Sequence, residues 1–340
     1  MGQTITTTQF YLKGRRQSTL TGYLRHKGKY TEPVQGAVVV NGNEDGLTDG
    51  FDMSAKVVVI TGANSGIGFD LATYAAGKNA KVYMFCRSEE RGEAARKKIS
   101  QRTGSDKVEV IQCDVSLKKS VQRAVEEFKA KEHRLDALIC NAGVLLNERT
   151  ETPEGWETTF ASHLLFGSYM LGSLLMPQVD PDEGRIIFVS SGGMYNTKFP
   201  TWTKATSTGD AMSSYSGNMA YSFAKRGQVL LAERWASLNP KGPKVVSCHP
   251  GWVDTPAVEE AYGDQKKFLE PMRNPWQGAE GIAWLMATKQ SNLESGAFYL
   301  DRSPQQKHIS GPFFTSGRFT KNTSEEVTEM MANMQAATGV

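Results

Sequence analysis

Tyr221 and Lys225 are the two residues whose types and spacing point most directly to proton chemistry. They stand four positions apart in a segment that predicts a helix, so their side chains share one helix face. A nearby ammonium lowers the pKa of a phenol, and such a phenol can exchange a proton with a carbonyl or an alcohol near neutral pH. Similar pairs also occur on solvated helix surfaces, so the interpretation depends on what else the chain brings to the same place.

Six predicted strands end at polar or glycine-containing turns. These strand ends carry Gly62, Arg87, Asp114, Asn141, Ser191 and Pro250. The carboxyl ends of parallel strands meet at one edge of a sheet, and ligands of such sheets bind there. A hydroxyl at Ser191, which follows the predicted strand Arg185 to Val189, would hydrogen-bond the same substrate oxygen as Tyr221. This second group favours a functional site over a solvated helix surface.

The stretch VVVITGANSGIG, from Val57 to Gly68, predicts a buried strand, a glycine-rich turn and a helix. Its four β-branched residues suit a parallel strand that is covered on both faces. Gly62, Gly66 and Gly68 would let the backbone turn tightly, so that a pyrophosphate could lie against amides at the helix N-terminus. The alternative is a flexible turn without a ligand. The stretch therefore predicts a dinucleotide site.

The residues at the next strand ends indicate which dinucleotide is expected. In the common dinucleotide fold an acid about 20 residues after the glycines binds the ribose hydroxyls. Arg87 takes that place here, and a guanidinium suits a 2′-phosphate, which favours NADP over NAD and NADPH over NADH. The alternative is a solvated charge held by Glu89 or Glu90, which could also oppose a phosphate. Asp114 is expected to face the adenine, and the turn 141–143 either lets the backbone approach the cofactor or is an ordinary turn.

Strand and helix patterns alternate with short connections from Ala55 onward. This alternation predicts an α/β fold, a Rossmann-like doubly wound parallel sheet with right-handed crossovers. We expect residues 1–54 to form a basic arm and loop, and residues 55–302 to form a single nucleotide-binding domain. Residues 303–340 are expected to form an extension that ends in a helix, for which Thr323 and Glu326 have the spacing of a capping box.

Composition narrows the class of protein. The chain has 340 residues, 39% hydrophobic and 22% charged, and its net charge of +3 is too small to indicate nucleic acid as the main partner. The four cysteines each end an apolar run and lack metal-ligand spacing, so no metal site is predicted. They suit buried thiols without disulfides in a reducing intracellular compartment. The apolar run Ala161 to Met176 contains polar residues and is expected to be a buried helix rather than a membrane span.

The N-terminal arm carries six Lys and Arg residues and no acidic residue before Glu32. Its first six residues fit the pattern for N-myristoylation of Gly2, and an acyl chain with a basic patch would hold a membrane. Two alternatives stay open, a mitochondrial transit peptide and an arm that packs on the domain. The protein is thus expected to be cytoplasmic or membrane-associated, with a mitochondrial location also open. The arm could contact a membrane surface or a larger protein assembly, and a homo-oligomer is open as well.

The motifs TGANSGIG, CDV, NAG, SSGGM and YSFAK, in this order, resemble those of the short-chain dehydrogenase/reductase family over about residues 55 to 302. The resemblance implies an NADP-dependent oxidoreductase that acts on a carbonyl or alcohol of a lipophilic small molecule, such as a retinoid, steroid or fatty aldehyde. It implies that Tyr221 is the general acid/base, that Lys225 holds the ribose and tunes Tyr221, and that Ser191 orients the carbonyl. The implied cofactor lining is Gly62, Ser65, Gly66, Ile67, Gly68, Arg87, Asp114, Val115, Asn141, Ala142, Gly143, Tyr221, Lys225, Pro250, Gly251 and Thr255.

One position departs from the family pattern. Motifs such as HPGWVDTP resemble the member 12 type within the family, but the helix after the NAG turn lacks the usual Asn that holds a proton-relay water. His163 stands there, or Leu164 if the register slips by one. His163 would take over the relay, or it is a buried core histidine. One functional alternative is a nucleotide-binding structural or accessory subunit of a larger or membrane-bound assembly with little or no turnover, which the basic arm favours and the complete Ser191, Tyr221 and Lys225 set disfavours. The other is a nucleotide-sensing regulator, which stays open.

Overall fold

The computed structural model describes residues 2–30, 51–255, 258–259, 262–309 and 315–340. Within these residues a largely parallel sheet is covered by helices on both faces, which confirms the predicted α/β fold. The loop predicted between the arm and the first strand falls mainly on residues 31–50, which lie outside the described residues.

The described sheet has eight strands in the order β3-β2-β1-β4-β5-β6-β7-β8. Their bounds are β1 Val57–Thr61, β2 Lys81–Cys86, β3 Val108–Gln112, β4 Ala137–Cys140, β5 Arg185–Val189, β6 Lys244–His249, β7 Phe298–Leu300 and β8 Ser303–Gln305. The first seven strands are parallel. The strand order reverses between β1 and β4, and ligands of such sheets bind at this switch point. Gly62 and Asn141 follow these two strands, so the predicted turns lie side by side.

The edge strand β8 is antiparallel and was not predicted from the sequence. It is joined to β7 by Asp301 and Arg302, whose φ angles are 48° and 67°, as in a two-residue hairpin turn with two positive φ angles. Neither residue is a glycine or an asparagine, so the usual hairpin signal is absent. Two buried ion pairs hold the turn instead, because Asp301 binds Arg273 and Arg302 binds Glu280.

Nine longer helices cover the sheet or its edges within the described residues. Their bounds are α1 Gly2–Gln17, α2 Leu20–Lys27, α3 Gly66–Gly77, α4 Glu89–Thr103, α5 Lys118–Lys131, α6 Thr158–Gln178, α7 Gly217–Leu238, α8 Pro275–Ala287 and α9 Ser324–Thr338. Helices α3, α4 and α8 pack on one face of the sheet, and α5, α6 and α7 pack on the other, where α9 lies against α6 and α7. The capping box of Thr323 and Glu326 begins α9 as predicted.

Helix α6 is the one described helix that is long and apolar enough to cross a membrane, and 83% of its most apolar window is buried inside the protein. Its middle turns, Ala161–Met170, form a π-helix in which every residue is buried. The predicted buried helix from Ala161 to Met176 is thus confirmed. Wide turns of this kind are frequent at functional sites, and this one carries His163 to the edge where Tyr221 lies.

The described part of the arm packs on the domain, as one of the alternatives for this segment predicted. Tyr23 of α2 is 2% exposed. The Ser18 carbonyl oxygen accepts a hydrogen bond from the Trp252 amide at 2.8 Å, and the Leu20 amide donates to the Pro271 carbonyl oxygen at 2.9 Å. These bonds place α1 beside the segment that follows β6.

Candidate active site

Ser191, Tyr221 and Lys225 line one cleft of about 550 Å³ at the carboxyl ends of the central strands. Ser191 follows β5, and its side chain lies close to the phenol of Tyr221 on the second turn of α7. One turn later Lys225 is buried, and its Nζ donates to the Val189 carbonyl oxygen at 2.7 Å. The structure therefore brings together Ser191 and Tyr221, which were predicted to share a substrate oxygen, and Lys225, which was predicted to tune Tyr221.

The pKa of Tyr221 differs from the expectation. Burial raises it to about 12, and the nearby hydroxyl of Ser191 offsets only part of this rise. Burial also lowers the pKa of Lys225 to about 7, and its Nζ lies 5.3 Å from the centroid of the Tyr221 ring. The predicted lowering of the phenol pKa is thus not seen, because the lysine loses part of its charge near neutral pH and donates to Val189. Tyr221 is therefore protonated at neutral pH, the form in which a phenol can donate a proton.

The buried Lys225 makes stability depend on pH. Its folded pKa of about 7 lies below the ordinary value of 10.5, so the cost of burying the charge is complete below pH 7 and disappears as the pH rises to 10.5. We expect the stability of the wild type to rise relative to Lys225→Met over this range, by a few kcal/mol. Urea unfolding of both proteins at pH 7 and pH 10 measures this, and a difference that stays constant would contradict the lowered pKa.

His163 supports the ring of Tyr221. The two rings meet edge to face with centroids 5.2 Å apart, and His163 Nε2 lies 2.7 Å from the Val144 carbonyl oxygen. A Cβ at Gly143 would fall 1.8 Å from the imidazole, so this position needs glycine. Burial, together with the nearby Lys225, lowers the pKa of His163 well below its usual range, and the ring is neutral. These contacts position Tyr221, and the proton-relay role of His163 stays a prediction.

The glycine turn after β1 has a backbone that leaves room for a ligand. Gly62 and Gly66 have φ angles of 68° and 54°, which favour glycine, and a Cβ at Gly68 would lie 2.4 Å from the Gly62 carbonyl oxygen. Asn141 Nδ2 donates to the Thr61 carbonyl oxygen at 3.0 Å, so the turn after β4 is hydrogen-bonded to the end of β1, where the glycine turn begins. Thr61, which the sequence did not single out, also accepts the Asn141 amide at its hydroxyl.

A second cavity, of about 490 Å³, lies beside the ends of β2 and β3. Arg87 and Asp114 line it together with Lys119 and Arg123 of helix α5. These two cations were missed because the cofactor residues were expected at the strand ends. The Asp114 carboxylate accepts hydrogen bonds from the Ser116 amide and hydroxyl at 2.9 Å and 2.7 Å, which fixes the loop. Three cationic side chains and one carboxylate favour an anionic ligand.

The remaining predicted cofactor residues lie along the same edge of the sheet. The main cleft is lined by Ile67, Asn141, Gly143, Pro250, Gly251 and Thr255. Ser65 is exposed at the start of α3, and Ala142 packs on Gly62. Val115 is buried beside Gly167 of α6. The prediction placed these residues at one edge, and the structure has them there.

Several aromatic residues that line the cleft were missed. They are Phe10, Tyr11, Trp252 and Tyr262. Phe10 and Tyr11 lie in α1, far from Ser191 in the sequence, and no local pattern connects an N-terminal helix to a strand end. Trp252 stands in the HPGWVDTP motif that follows β6, and this motif was the available signal for it.

Residues 56–266 match the model of a protein family described as short chain dehydrogenase. The chain belongs to the short-chain dehydrogenase/reductase family. The match covers more than half of the chain, and the family predicted from the motifs is confirmed. The protein is an NAD(P)-dependent oxidoreductase, with a nicotinamide cofactor and a small-molecule substrate.

Two relatives and one solved structure show how far this similarity extends. The chain is 34% identical to dehydrogenase/reductase SDR family member 12 of Bos taurus, over 88% of this chain and 89% of the relative. It is 30% identical to retinol dehydrogenase 11 of Homo sapiens, over 75% and 80% of the two chains. The crystal structure of the NADPH-dependent 3-quinuclidinone reductase of Rhodotorula rubra covers 73% of this chain and 90% of its own, with a TM-score of 0.57 and 25% identity.

Proposed function

We propose that the protein uses NADPH to reduce the carbonyl group of a lipophilic small molecule to an alcohol, and catalyses the reverse reaction with NADP. The observation that carries this proposal is the position of Tyr221 and Ser191, whose side chains lie close together at one side of a largely apolar cleft. A protonated phenol and a hydroxyl at that point would both bind one carbonyl oxygen.

In the proposed mechanism, Ser191 and Tyr221 hydrogen-bond the carbonyl oxygen, and Tyr221 donates its proton as negative charge develops there. A bound nicotinamide supplies the hydride. Lys225 donates its observed hydrogen bond to the Val189 carbonyl oxygen. It therefore acts beside Tyr221 and toward the cofactor ribose, and does not bind the substrate oxygen. The apolar lining of the cleft keeps water away from the reacting carbon.

The site suits a dinucleotide at two places, the pyrophosphate and the adenosine phosphate. The turn of Gly62 and Gly66 has no side chain that would keep a pyrophosphate away from the first amides of α3. The cationic cavity lined by Arg87, Lys119 and Arg123 lies where an adenosine phosphate would fall, and these charges support a preference for NADPH over NADH. The solved 3-quinuclidinone reductase, which is named as NADPH-dependent, agrees with this preference.

Replacing Arg87 by Asp is expected to raise the Kd for NADPH roughly tenfold to a hundredfold, because a charge-assisted phosphate contact is lost. The Kd for NADH should change by about twofold or less, since NADH has no 2′-phosphate. Isothermal titration with both cofactors measures this. Lys98→Asp is the matched control, because Lys98 is an exposed cation on α4 outside the cavity. Equal weakening of both cofactors would contradict the role of Arg87.

The substrate class follows from the cleft and from the names of the relatives. A volume of about 550 Å³ accommodates a small molecule with an apolar body. One relative is named as a retinol dehydrogenase. A panel of retinal, steroid ketones, fatty aldehydes and propanal with NADPH tests the proposal, and turnover is expected on the larger apolar members. Tight NADPH binding with no turnover on any member would favour a structural subunit instead.

The compartment and the assembly state are proposals as well. All four cysteines are buried free thiols, which supports a reducing intracellular compartment. Myristoylation, contact of the arm with a membrane or an assembly, and homo-oligomerisation stay predictions, and neither the described residues nor the relatives' names support a lipid anchor. Intact mass of the protein from its native source, with fractionation of Gly2→Ala, tests the anchor.

A further inference from the structure

Helix α1 lies against the cleft that holds the catalytic residues. Phe10 and Tyr11 line that cleft together with Ser191 and Tyr221. We propose that the N-terminal helix forms a wall of the substrate site, and that Phe10 and Tyr11 select substrates with a flat or extended apolar body. This inference rests on the proposed function and adds the residues that set its substrate range.

Phe10 lies directly beside the catalytic strand end. A Cβ placed on Gly192 would fall 2.4 Å from the Phe10 ring, and Gly192 immediately follows Ser191. The Phe10 ring stacks on Tyr195 with centroids 6.2 Å apart and meets the edge of Trp252 at 6.3 Å. Phe10 is therefore held on both sides, close to the point where the carbonyl oxygen would bind.

Tyr11 extends this surface away from Ser191. Its ring stacks on Trp252 with centroids 5.9 Å apart and an interplanar angle of 28°. Its hydroxyl already donates to the Phe268 carbonyl oxygen at 2.9 Å. Phe10, Tyr11 and Trp252, called here the aromatic wall, therefore present mainly carbon surface to the cleft.

The position of α1 is fixed by specific contacts. A Cβ on Gly14 would fall 2.3 Å from the Trp252 ring, so the helix backbone rests on that indole. At the end of α1, Ser18 Oγ lies 3.1 Å from His249 Nε2, and the Ser18 carbonyl oxygen accepts a hydrogen bond from Arg273 Nε at 2.9 Å. These contacts hold the aromatic wall against the residues that follow β6.

The chemistry of the wall defines what it recognises. Aromatic faces gain free energy by covering apolar area, and conjugated or ring-containing molecules offer most of it. A short aldehyde would reach Ser191 and Tyr221 without covering the wall. Loss of the wall should therefore reduce affinity for large apolar carbonyl compounds and leave short ones unchanged.

The experiment compares Phe10→Ala and Tyr11→Ala with Leu12→Ala, a matched control whose side chain is 63% exposed on the same helix. Steady-state kinetics with NADPH should show kcat/KM for all-trans-retinal reduced about tenfold or more in the first two variants, mainly through KM. For propanal the change should be about twofold or less, and Leu12→Ala should match the wild type with both substrates. Equal loss on both aldehydes, or no loss on retinal, would overturn the inference.

A binding measurement separates this inference from the proposed function. Quenching of tryptophan fluorescence by all-trans-retinol reports binding without turnover, and the Kd should rise about tenfold in Phe10→Ala and Tyr11→Ala. If the wild type reduces no carbonyl compound but this rise is seen, the proposed function fails and the wall stands. If the wild type does not bind retinol, or the variants bind it equally well, the wall is refuted. Should Phe10→Ala fail to fold, Tyr11→Ala and Phe10→Leu decide the outcome.

Discussion

Replacing Tyr221 by Phe is expected to lower kcat for carbonyl reduction by about 10² to 10⁴, the usual contribution of a general acid. The substitution removes only the hydroxyl that lies beside Ser191, and the ring keeps its edge-to-face contact with His163. The Kd for NADPH should therefore stay within about twofold of the wild-type value. Steady-state turnover and cofactor titration on the same preparations measure both quantities.

Tyr83→Phe is the matched control for this substitution. Tyr83 lies in β2, and its hydroxyl donates to Glu132 rather than to any residue of the cleft. Its kcat should equal that of the wild type within about twofold. If Tyr221→Phe kept more than about a tenth of the wild-type kcat, Tyr221 would not be the proton donor.

Replacing Asp301 by Ala is expected to destabilise the protein by about 3–5 kcal/mol, because it leaves a buried guanidinium without its carboxylate. Arg273 binds Asp301 through two hydrogen bonds of 2.5 Å and 2.7 Å, and both side chains are almost fully buried. His26 of α2 lies 2.7 Å from the same carboxylate. The loss should therefore also loosen the arm. Urea unfolding at pH 7 measures the change in the free energy of unfolding.

The pH dependence of Asp301 adds a second test. Burial alone would raise its pKa, but the hydrogen bonds from His26 and Arg273 hold the pKa below its ordinary value. Its contribution to stability is therefore complete above the ordinary Asp pKa and is lost as the pH falls through the folded pKa. Asp106→Ala, at an exposed position, is the control and should change stability by about 0.5 kcal/mol or less. If Asp301→Ala lowered the free energy of unfolding by no more than this control, the stabilising role of the buried Asp301–Arg273 ion pair would be contradicted.

Much of the fold was predictable because its signals are local. The β-branched run of β1, the glycines after it and the capping box of α9 each depend on neighbouring residues, and each lies where the pattern indicated. The parallel arrangement of the sheet was predictable as well, since short connections and right-handed crossovers leave few alternatives. The meeting of Ser191 with Tyr221 followed from that topology.

Other features depend on contacts between distant residues and left no local signal. The rise in the pKa of Tyr221 comes from burial, which spacing on a helix does not show. The hairpin at Asp301 depends on Arg273, which lies 28 residues away. The contact of Phe10 with Gly192 joins the arm to the catalytic strand end, and no pattern within α1 indicates it.

The central claim is tested most directly by following hydride transfer into product. The protein is incubated with all-trans-retinal and NADPH that carries deuterium at the transferable position, and the alcohol is analysed by mass spectrometry. The account predicts one deuterium on the former carbonyl carbon with the wild type and almost none with Tyr221→Phe. Tight NADPH binding without deuterium transfer to retinal, to steroid ketones or to fatty aldehydes would contradict it.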